Sequence, residues 1–363
     1  MYPKLLIDLK KLRENIDAVA KITKEDGGCT MMIVTKCLCA NREVAKMITS
    51  HPQVDFLADS RIENIKKYQD LVEASGKQSV LLRLPMLSEI EDVVKYADIS
   101  FNSEMVTIEA LNEEAARQGK THKVVLMVDL GDLREGIFFR NEEEIIETAR
   151  KINEMSNVEL YGMGTNLTCY GAIIPKYDNL SILCDIAEKV EAALGIKLQM
   201  VSGGNSSSIY LVGEGQLPAK INNLRLGESF LLGNDTAYGA DLPGTVGDGL
   251  LCEAQIVELK TKPSLPIGEV GVDAFGQKPF YEDRGDIKRA ILGIGQQDTD
   301  RDGMTPLDEK VDVLGASSDH LILDVTKSDS DYKVGDTVKF TLEYGAVLRL
   351  ATSEYVEKEF IYK

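Results

Sequence analysis

The sequence predicts an α/β protein: a (β/α)8 TIM barrel followed by a mostly β C-terminal domain. Through roughly the first two thirds, short β-rich apolar runs alternate with amphipathic helical stretches, which implies parallel strands joined by helical crossovers. Eight such units are the count that closes a barrel. From about Gly239 onward the helical periodicity gives way to short strands punctuated by Gly, Pro and Asp, and 363 residues suffice for a large barrel with a smaller partner.

Taken in order, Met1–Asp8 reads as a strand ahead of the first barrel unit, placed to join the C-terminal sheet and tie the two ends of the chain together. The barrel runs follow at Cys29–Thr35 (CTMMIVT), Val54–Leu57, Ser79–Leu84, Asp98–Phe101, Lys123–Val128, Val158–Gly162, Lys197–Val201 and Asn222–Leu226. Between them, apolar residues recur at three- and four-residue spacing in Arg61–Leu71, Ser103–Gln118, Glu142–Met155 and Asn179–Leu194, the pattern of helices with one buried face. Later strands are expected at Leu251–Leu259, Ala290–Ile294, His320–Val325 and Thr337–Leu342. The domains are therefore expected at 9–235 for the barrel and 236–363 for the β domain, the latter joined by strand 1–8.

Composition narrows the function classes. The chain has 41 Lys+Arg against 59 Asp+Glu, a net charge of −18, and no local basic stripe, which argues against a nucleic-acid partner. No window approaches 18 consecutive apolar residues, and Asp8 and Lys10 interrupt the apolar start before a signal-peptide core forms, so a cytoplasmic protein without membrane partners is expected. The six cysteines, at 29, 37, 39, 169, 184 and 252, show no paired C-x2-C spacing. They read mostly as reduced, buried thiols, with no structural metal site.

A barrel predicts where its own chemistry lies: in the loops after the strands, with phosphate commonly held after the seventh and eighth. After the seventh run stands Ser202–Ser208 (SGGNSSS), able to turn several N–H groups and hydroxyls toward an anion, and after the eighth stands Arg225–Glu228 (RLGE). Either alone is equally an ordinary turn; the pair at both expected positions favours phosphate. At the end of the first run, Lys36 is the only charged residue between Asp26 and Arg42. On local sequence this is a lysine snorkelling to solvent. Set across the mouth from a phosphate cradle, it is instead a desolvated amine with a lowered pKa, suited to Schiff-base formation. Pyridoxal 5'-phosphate (PLP) is the cofactor that needs both a lysine and a phosphate site.

Ile7–Asn15 (IDLKKLREN), Val34–Cys37 (VTKC), Phe56–Arg61 (FLADSR), Met127–Gly136 (MVDLGDLREG), Gly162–Asn166 (GMGTN), Ser202–Ser208 and Gly315–His320 (GASSDH) resemble, over nearly the full length, the alanine racemase family of PLP enzymes. The likeness is strongest to its ornithine racemase group. The resemblance implies that Lys36 carries the cofactor and serves as one catalytic base. It implies that Gly203, Gly204, Asn205, Ser206 and Gly227 lie at the phosphate, and that Arg225 faces the pyridine nitrogen. Arg134 would sit near the cofactor hydroxyl and the substrate carboxylate, and Tyr344 matches a phosphate-binding tyrosine. A guanidinium donates a hydrogen bond but does not readily hand over its proton, so Arg225 would keep the ring a weak electron sink and favour brief deprotonation at Cα.

Racemisation needs a base on each face of the planar intermediate. Alanine racemases supply the second from a tyrosine after a Gly in the β domain, across a dimer interface, whereas the matching segment here reads Gly293–Asp298 (GIGQQD). Asn166 likewise stands where they carry a histidine. The expected second acid/base is His320, with Asp319 as alternative or orienting partner, since His51 and His122 look structural. A second base in the C-terminal domain implies a homodimer. The expected substrate is a small amino acid, ornithine first and lysine next, with Asp298 or Asp241 to receive the side-chain ammonium. The alternatives are a metal-assisted D-amino-acid lyase resembling D-threonine aldolase and, less favoured by the extra domain, a PLP-binding regulatory protein.

Overall fold

The computed structural model describes residues 1–362; Lys363, the last residue of the expected β domain, lies outside them. The chain forms two compact units, Leu12–Val246 and Met1–Lys11 together with the segment from Gly247 onward. It opens on β1 (Lys4–Asp8), which belongs to the second unit and runs antiparallel to the later strand that begins at Leu250.

The first unit is the barrel. Its strands are β2 (Thr30–Val34), β3 (Phe56–Asp59), β4 (Gln78–Leu81), β5 (Ile99–Asn102), β6 (His122–Asp129), a short rim strand β7 (Ile137–Phe138), β8 (Val158–Gly164), β9 (Met200–Ser202) and β10 (Asn223–Leu226). All pair in parallel, in the order β5-β4-β3-β2-β10-β9-β8-β6, and β5 pairs with β6 to close the ring of eight. Alternate residues point inward: Met32 and Val34, Phe56 and Ala58, Ile99 and Phe101, Val125 and Met127 meet with Val80 and Met200 in one buried core. The barrel is thus filled, and chemistry is left to the strand ends.

Helices cover the ring at Ile62–Ser75, Met105–Gln118, Glu142–Asn153 and Tyr177–Leu194, close to the stretches read from periodicity. Shorter helices at Arg42–Thr49, Ile90–Tyr96, Ile209–Gly213 and Glu228–Leu232 complete the alternation. Arg42–Thr49 begins where Asn41 caps it by accepting the Glu43 N–H at 3.0 Å.

The second unit is a sheet of β11 (Leu250–Pro263), β12 (Asp286–Leu292), β13 (Met304–Pro306), β14 (Asp312–Ala316), β15 (Leu321–Asp324), β16 (Thr337–Leu342) and β17 (Glu357–Ile361), with β1 between β11 and β17. The fourteen-residue β11 organises it, pairing β1 and β16 through its first half and β12 through its second. One expectation fails here. Helical structure does not vanish after Gly239: Tyr344–Thr352 is a helix whose Ala346, Val347 and Leu350 are buried.

Cys29, Cys37, Cys184 and Cys252 are buried reduced thiols, and burial pushes the first two up to about 12. Cys169 departs from the expected burial and stands exposed on the loop after β8.

His51 and His122 are both buried, as the sequence reading expects of structural histidines. His122, in the barrel wall, shares a hydrogen bond of 2.8 Å with the Ser100 hydroxyl, and burial pushes its imidazole down from 6.5 to about 4. Between those values the unfolded chain binds a proton that the folded chain refuses, so His122 costs stability as pH falls through 6.5 and adds nothing above it. The penalty reaches about 3 kcal/mol by pH 4. His122→Gln should flatten the loss of unfolding free energy between pH 7.5 and 4.5 in urea titrations; an unchanged slope would contradict this.

Candidate active site at the carboxyl ends of the barrel strands

Lys36 follows directly on β2. The strand ends at Val34, and Thr35 turns the backbone into a tight turn over Lys36–Leu38. That turn is fastened to the next strand: the Thr35 N–H and hydroxyl both donate to the Ala58 carbonyl, at 2.9 and 3.1 Å, and the hydroxyl also donates to Asp59 Oδ2 at 2.7 Å. Asp59 is fully buried, and burial pushes its carboxyl up against the pull of hydrogen bonds from Asn64, Thr35 and the Arg61 N–H. The expected desolvation of Lys36 itself is not found within the chain. Its side chain is exposed, because the turn lifts it off the strand instead of leaving it among the core residues.

Arg225 lies on β10, the neighbour of β2, with Arg225 opposite Met32 in the ladder. It is buried, and its head is fixed by bonds from Nη1 to Ser202 Oγ (2.6 Å) and from Nη2 to the Thr165 carbonyl (2.7 Å) and Asn166 Oδ1 (3.2 Å). Phe101 presents its ring face 5.1 Å from the guanidinium carbon. Burial draws the group down to about 10, which leaves it charged at neutral pH.

The loop after β9 closes against this. Gly204 holds φ +114°, and a Cβ there would meet Ser208 Oγ at 2.6 Å, so the turn demands glycine. Gly203 donates its N–H to the Asn223 carbonyl at 3.0 Å, and the Gly204 carbonyl accepts from the Arg225 N–H at 3.0 Å. Asn205 accepts the Ser207 N–H at 2.8 Å and donates to Asn166 Oδ1 and the Leu167 carbonyl, both at 3.1 Å. The Ser206 hydroxyl bridges this loop to the next, accepting the N–H groups of Gly227 (3.3 Å) and Ser229 (3.2 Å) and bonding the Ser229 hydroxyl (3.1 Å).

Gly203, Gly204, Asn205, Ser206, Arg225, Gly227, Asn166 and Lys36 therefore all stand at the carboxyl ends of β2, β8, β9 and β10. Asn166 Oδ1 serves two donors, Arg225 and Asn205, which leaves its buried Nδ2 without a partner, as are the hydroxyls of Thr165 and Ser207. Buried polar atoms without partners are costly, and the two on Thr165 and Asn166, both bonded to the Arg225 guanidinium, with a third on Ser207 in the loop after β9, fit a polar, hydrogen-bonding group such as PLP.

Arg134 lies in the loop after β6, paired by Nε and Nη2 with both carboxylate oxygens of its neighbour Glu135. Burial draws the guanidinium down, and the Glu135 bond and charge outweigh it. Within the same loop Asp132 is fully buried and accepts the N–H groups of Thr168 (2.9 Å), Tyr170 (3.1 Å), Gly171 (3.1 Å) and Ile173 (3.3 Å), so it shapes the loop after β8. Sequence reasoning missed Asp59, Asp132 and Glu135 as organisers of the mouth. Their signal was present, in carboxylates at the end of β3 and in the loop after β6, inside motifs already singled out.

The remaining expected residues belong to the second unit. Tyr344 is the first residue of the helix there and half-buried. Asp319 and His320 are exposed in the turn between β14 and β15; the strand expected from His320 begins one residue later, because His320 closes the turn, its carbonyl accepting the Ser317 N–H at 2.8 Å. Asp298 is buried and accepts the Ser353 hydroxyl at 2.7 Å, while Asp241, in the barrel unit, is exposed.

Residues 7–234 match the family described as alanine racemase, N-terminal domain. The chain is 55% identical over 361 residues to the ornithine racemase of Acetoanaerobium sticklandii, covering 99% of this chain and all of that protein. It is 38% identical over 362 residues to the lysine racemase of Thermotoga maritima, covering 99% of each. Among solved structures it resembles the alanine racemase of Clostridium difficile 630 in complex with cycloserine, with a TM-score of 0.72 at 20% identity, over all of this chain and 96% of that one. At that identity the likeness concerns the fold.

Proposed function

The chain belongs to the alanine racemase family, and on that premise we propose that it interconverts L- and D-ornithine with PLP as cofactor. The observation that carries the reaction class is the immobilised Arg225 guanidinium, bonded to Thr165 and Asn166, each of which keeps a buried polar atom without a partner, and one strand away from the Lys36 turn. Likeness to an ornithine racemase along the whole chain supports the substrate, and likeness to a lysine racemase keeps lysine as its nearest variant.

When bound, the cofactor supplies an aldehyde for covalent attachment and an electron-withdrawing ring that acidifies the substrate's Cα–H. Lys36 Nζ is the attachment point and takes or returns the proton on one face. Arg225 would donate a hydrogen bond toward the ring while keeping its own proton, which would keep the ring a weak electron sink and disfavour side reactions. Gly203–Ser206 and Gly227 would hold the phosphate end, with Asn166 toward the ring and Tyr344 as a further candidate for the phosphate. Arg134 orients the substrate carboxylate. His320 is the acid/base for the opposite face, with Asp319 beside it.

We further propose a cytoplasmic homodimer. The free, mostly buried cysteines support a reducing compartment. The second acid/base lies outside the barrel unit, which supports subunit exchange of residues. The test is incubation of the holoenzyme with L-ornithine, L-lysine, L-alanine and D-threonine in deuterated water, following optical rotation and Cα exchange. Ornithine should racemise fastest, by an enzyme that sediments as a dimer. Cleavage of D-threonine without racemisation, or an active monomer, would overturn the reading.

A further inference from the structure

We propose that Glu135 is the residue that selects a substrate with a second ammonium group, and that it does so by exchange of partners. The substrate's α-carboxylate takes Arg134, its distal ammonium takes Glu135, and the internal ion pair between the two residues is replaced charge for charge. The inference rests on the racemase reading and on Arg134 as the carboxylate's partner.

The pair is placed for this. Both heads lie at the strand ends, close enough to Arg225 for their charges to act on it. Glu135 is the more enclosed, its side chain 17% exposed against 39% for Arg134. Its position is fixed by the backbone. Gly136 holds φ +121°, and a Cβ there would meet the Asp129 N at 2.6 Å, so the loop folds back onto the end of β6. Ile137 and Phe138 then pair with Val128 and Asp129.

Three carboxylates at the ends of β3 and β6 are already spent on the fold. Asp129 accepts the Gly131 and Leu133 N–H groups at 2.8 and 3.1 Å. Asp132 holds four backbone N–H groups, and Asp59 holds Thr35, Asn64 and the Arg61 N–H. The expected acceptors fare no better: Asp298 is buried against Ser353 and Asp241 is exposed. Glu135 differs in being held by a side-chain cation, the kind of partner a ligand ammonium replaces.

The exchange also explains rejection. An amino acid with a neutral side chain that drew Arg134 away would strand the enclosed Glu135 carboxylate without a cation, whereas a diamino acid leaves neither residue unpaired. Selectivity then comes from penalising the wrong substrate as much as from gripping the right one.

The test uses the holoenzyme and its Glu135→Gln and Glu135→Asp variants with ornithine and with norvaline, which lacks the δ-amine. In Glu135→Gln, the ratio of kcat/KM for ornithine over norvaline should fall at least about a hundredfold. Calorimetric Kd for ornithine should weaken at least about tenfold, with norvaline unchanged or tighter. Glu135→Asp should recover part of the ornithine preference, and it decides the matter if the glutamine variant fails to fold. Equal losses for both substrates would overturn the proposal and leave Glu135 as a residue that only orients Arg134. Failure of the wild-type enzyme to racemise ornithine would instead sink the parent reading.

Discussion

Lys36→Ala is expected to lower racemisation by about ten-thousandfold or more, because it removes the amine that we propose both attaches the cofactor and moves a proton. Lys36 is the only charged residue between Asp26 and Arg42, and the turn that carries it is pinned to β3 through Thr35, Ala58 and Asp59. The side chain is exposed, so the variant should fold with a melting temperature close to that of the wild type, and lost activity will report chemistry. Lys36→Arg separates nucleophile from charge: it keeps the cation but stays protonated, and should lose as much as the alanine variant. Borohydride reduction followed by peptide mass spectrometry should find a pyridoxyl adduct at Lys36 in the wild type and in neither variant. An arginine variant with substantial activity, or an adduct elsewhere, would overturn the assignment.

The barrel was legible because its strands carry a strong local signal. The run CTMMIVT contains a complete strand, Thr30–Val34, and the eight runs correspond to the eight strands of the closed ring, displaced by only a few residues. The displacement reaches three residues at Ser79–Leu84, whose strand ends at Leu81, and at Lys197–Val201, whose strand begins only at Met200. Lys197 instead bonds Glu191 at 2.9 Å, a partner that no periodicity could reveal. The helix Tyr344–Thr352 was missed because nine residues give little periodicity to read and it stands among strands.

The site was legible in its residue types more than in its environments. Sequence singled out Lys36, the Ser202–Ser208 loop and Arg225, and the fold brings all of them to one end of the barrel. What sequence could not show is which polar atoms are already taken. Ser206 gives its hydroxyl to Gly227 and Ser229, so its side chain ties two loops together, while Asn166 keeps a buried donor without a partner. Nor could it show that Lys36 is exposed within its own chain, because burial at a strand end depends on whether the next residues continue the strand or turn away from it.

His320→Gln is expected to separate the two faces of the reaction. The turn that holds His320 is built from backbone: the Ser317 N–H donates to the His320 carbonyl, the His320 N–H to the Ser317 hydroxyl at 3.2 Å, and Gln296 and Gln297 donate N–H groups to the carbonyls of Ser317 and Ser318. The imidazole takes no part in these bonds, so glutamine should leave the turn and the cofactor's absorbance intact. A glutamine amide cannot carry a proton in turnover, and loss of a positioned acid/base should slow interconversion about a hundredfold or more. Lys36 would remain on its own face. One enantiomer of ornithine should therefore still exchange its Cα–H in deuterated water while optical rotation stays nearly constant. Asp319, whose Oδ2 accepts the Ser318 hydroxyl at 2.8 Å, provides the control. If Asp319→Asn produced the split and His320→Gln racemised normally, the proton would belong to the aspartate; if neither variant changed turnover, the opposite-face group would have to lie outside this turn.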